Sequence, residues 1–216
     1  QNASKAQDSK FSQTFMKYEE GSSLTAIYGM KSLGINPANG KEIFVGRNGI
    51  LTSTWNASDQ QPIGCTDPKI EGNISLNGGY KGFSLSMYFT YSLGGDTYNQ
   101  TLVDRVENAD KRCNCDRRVL EDRWQKPGDI TFFKDVANNE MTQATSRFVE
   151  KYNWLKLSTL NVSYDFNANW LKYIQVENLR LSFNMTDVFR WSSVKEERGL
   201  DYPFAHAFRA SLRITF

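Results

Sequence analysis

The last nine residues alternate strictly between apolar and polar side chains, and this period of two constrains the fold more than any other feature. Successive side chains of a β-strand point to opposite faces of the sheet. Residues 208–216 therefore predict a strand with one apolar and one polar face. The apolar face carries Phe208, Ala210, Leu212, Ile214 and Phe216, and the polar face carries Arg209, Ser211, Arg213 and Thr215.

The same alternation recurs further up the chain, at residues 24–30, 74–80, 83–91, 155–166 and 179–186. The parity of the apolar side chains changes between Leu157 and Leu160, which predicts a β-bulge near residues 158–159. We therefore expect an all-β chain of about six antiparallel strands.

The links between these strands alternate in length. Short links are expected near residues 79–82 and 167–174, and long ones near residues 33–69, 93–147 and 191–204. Alternating short turns and long loops are typical of an up-and-down transmembrane β-barrel, whose long loops are extracellular. We expect short helices at residues 99–109 and 117–124 within these loops, and a small hairpin around Asn48 and Gly49.

A soluble antiparallel β-module that binds carbohydrate or protein is the alternative. The polar faces argue against it, because they are rich in Ser, Asn, Thr and Arg rather than in the Lys and Glu of a water-exposed surface. Aromatic residues lie near the predicted strand ends, as in the girdle of a membrane barrel. They are Tyr80, Phe83, Tyr91, Phe166 and Phe216. A balance of 26 Lys and Arg against 24 Asp and Glu gives no signal for nucleic acid.

The sequence contains little that indicates a catalytic or metal-binding site. Cys65, Cys113 and Cys115 are either ordinary thiols, or Cys65 forms a disulfide with Cys113 or Cys115. Three carboxylates in one loop, Glu196, Glu197 and Asp201, resemble solvated charges more than a hydrolytic pair. We predict no catalytic residue, no metal site and no cofactor, and hence no enzyme.

Binding residues are sought on the polar faces and in the long loops. The side chains expected to face a lumen are Arg180, Arg209, Arg213, Asn184 and Tyr88. The arginines either line a solute path or pair with carboxylates of neighbouring segments. The loop aromatics either contact a ligand or partner, or pack the loops together. The candidates among them are Trp55, Tyr98, Trp124, Trp191 and Tyr202.

Several segments resemble the C-terminal region of SusC/RagA-like TonB-dependent transporters. They are NPANGKEIF at 36–44, TDPKIEG at 66–72, FSLSMYFTYSLGGDTYN at 83–99, DRRVLEDRWQKP at 116–127, ATSRFVEKYNWLKLS at 144–158 and NMTDVFR at 184–190. The resemblance extends from about residue 18 to Phe216. It implies a plugged outer-membrane barrel of about 22 strands.

The resemblance also implies a function. Such a protein imports glycans or oligopeptides, carries a SusD-like surface lipoprotein, and draws energy from TonB through an N-terminal part that this sequence lacks. On this basis residues 18–216 are expected to form the C-terminal part of a barrel embedded in outer-membrane lipid, and residues 1–17 a flexible or loop segment. The terminal Phe216 resembles the signal that the barrel assembly machinery reads.

Overall fold

The computed structural model describes residues 20–110, 112, 115–166, 175–195 and 206–216. The chain divides into two compact units. The loop unit comprises Gln1–Asp67 and Gly95–Lys151, and the sheet unit comprises Pro68–Gly94 and Tyr152–Phe216. The expected flexible segment, residues 1–17, lies outside the described residues.

The described strands follow one another in chain order. They are β1 Ala26–Gly29, β2 Lys31–Ile35, β3 Glu42–Val45, β4 Leu51–Thr52, β5 Gln61–Cys65, β6 Ile70–Tyr80, β7 Phe83–Tyr98, β8 Val149–Phe166, β9 Asn178–Ser192 and β10 Ala207–Thr215. The all-β prediction is confirmed, since the described helical segments are short. These are an α-turn at Gln100–Leu102, a π-turn at Val103–Glu107, and 3-10 turns at Ala57–Asp59, Arg117–Leu120 and Ser146–Phe148.

Strands β6 to β10 form one sheet in the order β10-β9-β8-β7-β6. The pairs β6–β7, β8–β9 and β9–β10 are antiparallel. Strands β6 and β7 are joined by a two-residue turn in which Lys81 and Gly82 both have positive φ, at 45° and 88°. That is the geometry of a type I′ hairpin turn, and it confirms the predicted tight turn. The predicted link at 167–174 lies outside the described residues.

The predicted bulge is confirmed where β8 and β9 change register, between Leu157 and Thr159. On β9, Asp187 lies in the same region with a φ of 54°, which a non-glycine residue rarely adopts. Its carboxylate forms an ion pair with Lys156 of β8. The irregularity explains why one parity does not describe the whole of β8.

The sequence predicted about six strands, and in the described part of the chain this sheet has five. The expected first strand, at residues 24–30, forms the short strand β1 and pairs with β5 in a separate two-stranded sheet. All four residues of β1 are buried. A strand buried on both faces belongs inside a packed unit, whereas a barrel strand exposes one face.

The loop unit has its own apolar core. Val103 and Val106 of the π-turn pack with Val119, Phe133 and Phe148. The hairpin predicted around Asn48 and Gly49 is present, since β3 pairs with β4 through Phe44 opposite Thr52 and Val45 opposite Leu51. The turns at Gln100–Leu102, Val103–Glu107 and Arg117–Leu120 lie within the two stretches predicted to be helical, whereas those at Ala57–Asp59 and Ser146–Phe148 were not predicted. The long segment 33–69 and the described residues of 95–148 therefore form folded structure.

Candidate functional site

The polar face of the sheet unit is organised in rows that cross three strands. Residues directly opposite one another in an antiparallel pair share a face. The register aligns Arg213 of β10 with Arg180 of β9, and Arg180 with Asp165 of β8. Two further rows follow along the strands: Ser211, Ser182 and Ser163, and then Arg209, Asn184 and Asn161.

The row of Arg213, Arg180 and Asp165 contains one carboxylate, that of Asp165. Arg180 donates from Nε to Asp165 Oδ1 at 2.5 Å and from Nη2 to Oδ2 at 2.8 Å. This two-bond contact occupies both carboxylate oxygens. Two rows further along the strands, the Asn184 side-chain amide donates to the amide oxygen of Asn161. Arg180 and Asn184, two of the expected lumen residues, are therefore bound to the strand beside them.

Arg209 and Arg213 are different from Arg180. Every residue of β10 is exposed. Within the described part of the chain, no hydrogen bond or ion pair of either guanidinium is present. The fifth lumen candidate, Tyr88, lies opposite Ser75 on the polar face of the β6–β7 hairpin and is 45% exposed. The structure thus puts Arg180, Arg209, Arg213 and Asn184 together and leaves Tyr88 on a different strand pair.

The opposite face of the same sheet is apolar and open. Pairs such as Ile74 with Phe89, Leu76 with Met87, and Leu212 with Leu181 line it. Large exposed apolar side chains on these strands include Ile70, Ile74, Leu76, Tyr80, Phe83, Leu85, Leu181, Phe183, Phe208, Leu212 and Ile214. Exposed apolar surface on this scale indicates an interaction face, because soluble monomers rarely display it. No described helix is long and apolar enough to cross a membrane.

A buried ion network holds the loop unit together. Arg147 Nη2 lies 2.8 Å from Glu42 Oε2 and 2.6 Å from Glu107 Oε1, and its side chain is only 3% exposed. Thr145 donates to Glu42 at 2.7 Å, and Thr142 donates to Glu107 at 3.1 Å. Burial opposes the charged form of Arg147, but Glu42 and Glu107 hold the pKa of its guanidinium above the ordinary value.

Two further cations lie beside this network. Lys134 Nζ donates to Asn108 Oδ1 at 3.2 Å and to Thr142 Oγ1 at 3.0 Å, and burial lowers the pKa of this ammonium. Arg123 donates from Nε to the Val119 carbonyl at 2.7 Å, and burial lowers its pKa as well. Sequence reasoning missed these residues, because nothing local distinguishes a buried charge from a solvated one.

The loop aromatics serve mainly as packing and hydrogen-bonding groups. Trp55 Nε1 donates to the Ala144 carbonyl at 3.0 Å, and Trp124 Nε1 donates to the Pro37 carbonyl at 2.9 Å. The Trp124 ring also covers Gly40, where a Cβ would come within 2.6 Å of ring atoms. Tyr98 packs edge-on against Phe148 with 6.2 Å between centroids, and burial raises the pKa of its phenol.

Trp191 has a different environment, since it lies on β9 and is 59% exposed. Tyr202 lies outside the described residues, as do Glu196, Glu197 and Asp201. Phe216 follows the last residue of β10 and is 80% exposed. In the described sheet β10 has a partner on one side only, so it presents an open edge.

The disulfide hypothesis is wrong for Cys65. Its thiol is free, and its Sγ lies 3.4 Å from Thr25 Oγ1. Position 65 is in β5 and pairs with Ala26 of β1. Cys113 lies outside the described residues. The described residues contain no group of three or more side chains arranged to bind a metal ion.

No protein-family model matches the chain. The TonB-dependent receptor P39 of Formosa agariphila is 28% identical over 144 residues, which are 63% of this chain and 14% of that receptor. Structures of the RagAB peptide importer in its open-open and closed-closed states match with TM-scores of 0.72 and 0.71 and identities of 19% and 20%. Both cover 88% of this chain, and 22% and 23% of the solved chains.

This chain, which is built mainly of antiparallel strands, thus shares its fold with part of a RagAB chain. Together with the curated relative, it supports the resemblance drawn from the sequence: this chain is similar to a region of a SusC/RagA-like TonB-dependent transporter. The chain spans about a seventh of the curated relative, and about a fifth of the solved chains. The curated relative is named a TonB-dependent receptor, and the solved structures are of a peptide importer.

Proposed function

We propose that this chain forms part of the barrel wall and the adjoining folded loops of a TonB-dependent outer-membrane importer of nutrients. The observation that carries the proposal is the five-stranded antiparallel sheet with one exposed apolar face and one polar face. A sheet of this kind needs lipid against its apolar face and a water-filled interior against its polar face. Ile74, Leu85, Leu181 and Leu212 would then contact lipid. Ser75, Ser84, Ser182 and Arg213 would face the lumen.

The nutrient we propose is a glycan or an oligopeptide. A peptide is favoured by the RagAB structures, whose protein is described as a peptide importer. We further propose that a SusD-like surface lipoprotein covers the assembled barrel, and that TonB acts through a part of the protein outside this sequence. Exposed Trp191 is the aromatic best suited to contact a ligand or partner.

The membrane part of the proposal is tested by purification. The full-length protein, expressed with its own leader, is expected in the outer-membrane fraction and should be extracted only by detergent. The soluble β-module is the alternative, and the exposed apolar face disfavours it. Recovery of this chain as a monodisperse soluble protein without detergent would support that alternative and contradict a barrel wall.

The import part is tested in cells. Deletion of the gene should abolish growth on one class of polymer, glycan or peptide, while growth on the matching monomer is unchanged. Affinity purification of the full-length protein in mild detergent should recover one lipoprotein in near-stoichiometric amount. Growth that is unchanged on every polymer tested would contradict a role in nutrient import.

A further inference from the structure

The polar face of β8, β9 and β10 carries more positive than negative charge. Arg213, Arg180 and Asp165 occupy one row, and Arg209 lies in a row further along β10. Asp165 neutralises Arg180 through two hydrogen bonds. In these rows three guanidinium groups therefore share one carboxylate, and the charges of Arg209 and Arg213 are not compensated by the described residues.

The register makes this arrangement costly unless an anion is present. Arg213 is directly opposite Arg180, and like charges at directly opposed positions destabilise a strand pair. Asp165 is one strand further away and both of its oxygens are already engaged by Arg180. At Arg209 the opposing side chain is Asn184, whose amide donates to Asn161 rather than to the guanidinium. Among the described residues of the sheet, neither β10 arginine thus finds an acceptor.

The residues around the two arginines favour an oxyanion ligand. Ser211, Ser182 and Ser163 fill the row between them, so the surface there is small and polar. Arg209 and Arg213 are four positions apart on an extended strand, which separates them by about 13 Å. A guanidinium binds a carboxylate through two parallel hydrogen bonds, and its charge persists at every physiological pH.

We propose that Arg209 and Arg213 form a carboxylate-binding site on the polar face of β10, and that it gives this importer a preference for acidic solutes. The proposal rests on the import function proposed above. Acidic side chains of another segment of the same protein are the competing source of carboxylates, and carboxylates from that source would overturn the solute preference. The chemistry at the guanidinium is the same in both cases, and the experiment distinguishes the two sources.

The test uses the purified full-length protein in detergent and two probes, tetraglutamate and tetraglutamine. Calorimetry measures the dissociation constant of each probe, and heat-modifiable gel mobility measures the unfolding midpoint of the barrel. The variants are Arg209→Gln, Arg213→Gln, and Arg213→Lys, which keeps the charge but loses the forked geometry. Arg117→Gln is the matched control, because it makes the same change at an exposed arginine of the loop unit.

If the solute supplies the carboxylates, wild type binds tetraglutamate more tightly than tetraglutamine. Each Arg→Gln variant then weakens tetraglutamate by about tenfold and leaves tetraglutamine and the midpoint unchanged. Arg213→Lys gives an intermediate loss, and Arg117→Gln gives none. If the protein supplies the carboxylates, the Arg→Gln variants lower the midpoint instead and affect both probes equally.

The proposal is overturned if neither Arg→Gln variant changes the preference between the probes or the midpoint. The proposal is also overturned if wild type binds neither probe and the variants leave the unfolding midpoint unchanged. Equal binding of both probes with no effect of the variants removes the acidic-solute site but leaves peptide import intact. Failure of the inference is therefore distinguishable from failure of the proposed function.

Discussion

Replacing Arg147 with Met should open the loop unit, because the substitution leaves two carboxylates buried without their cation. The Glu42 and Glu107 side chains are 8% and 0% exposed, so water cannot replace the guanidinium. Arg147 also donates to the Phe132 carbonyl at 2.5 Å and lies over the Phe148 ring, 4.5 Å from its centroid. Removal of one partner from a buried ion pair typically costs about 3–5 kcal/mol.

The assay is native-state hydrogen exchange of the full-length protein, read by mass spectrometry on peptides from residues 99–109 and from β3. A loss of about 3–5 kcal/mol in opening free energy accelerates exchange there by about two to three and a half orders of magnitude. Peptides from β9 and β10 serve as an internal reference, since Arg147 belongs to the loop unit and they belong to the sheet unit.

Two variants sharpen the interpretation. Arg117→Ala removes an exposed i,i+4 pair with Glu121, in which the arginine side chain is 92% exposed, and should leave exchange within error. The triple variant Arg147→Met, Glu42→Gln, Glu107→Gln removes the charges together and should recover most of the protection that Arg147→Met loses. The reasoning is refuted if Arg147→Met exchanges no faster than Arg117→Ala, or if neutralising both carboxylates gives no recovery.

Three further predictions address the sheet and the loop unit. Leu181→Arg should destabilise the folded barrel by about 2–4 kcal/mol if it lies near the bilayer midplane, whereas Ser182→Arg should cost much less; equal costs in a folding titration in lipid vesicles would contradict the assignment of faces. Deletion of Phe216 should reduce the heat-modifiable fraction in isolated outer membranes far more than it changes the stability of barrel already folded, whereas Phe216→Leu should be nearly silent if the side chain only contributes burial of about 1.5–3 kcal/mol. The raised pKa of the Tyr98 phenol means that the folded loop unit keeps its proton when the unfolded chain has lost it. The protonated phenol therefore contributes stability that is fully present below pH about 10 and is lost as the pH rises above it. Tyr98→Phe should make the alkaline loss of stability, measured by hydrogen exchange, less steep. An unchanged slope would show that the buried phenol does not cause that loss.

The sequence predicted the sheet unit in considerable detail because its information is local. Alternation over β6, β7, β9 and β10 assigns each side chain to a face without knowledge of any partner strand. The Lys81–Gly82 turn follows from a two-residue link between two alternating runs. The bulge in β8 follows from a change of parity between Leu157 and Leu160. The structure bears out each of these features.

Residues 24–30 show where the same reasoning failed. Their alternation resembles that of a barrel strand, yet β1 pairs with β5 and is buried throughout. The pattern of a strand reports its two faces but not its neighbour. The neighbour is chosen by the packing of the whole loop unit, in which Met30 also bridges to Thr145.

Only the tertiary structure shows which charged side chains are paired with one another. Arg147 and Glu42 lie 105 positions apart, and Asp165 and Arg180 are on different strands, so no short motif links either pair. The sequence supplied the arginines of β10 and their common face. The structure pairs Arg180 with Asp165, whereas none of the described residues neutralises Arg209 or Arg213. Hydrophobic alternation is a property of consecutive residues, but desolvation and charge pairing depend on which distant residues the fold brings within a few ångströms.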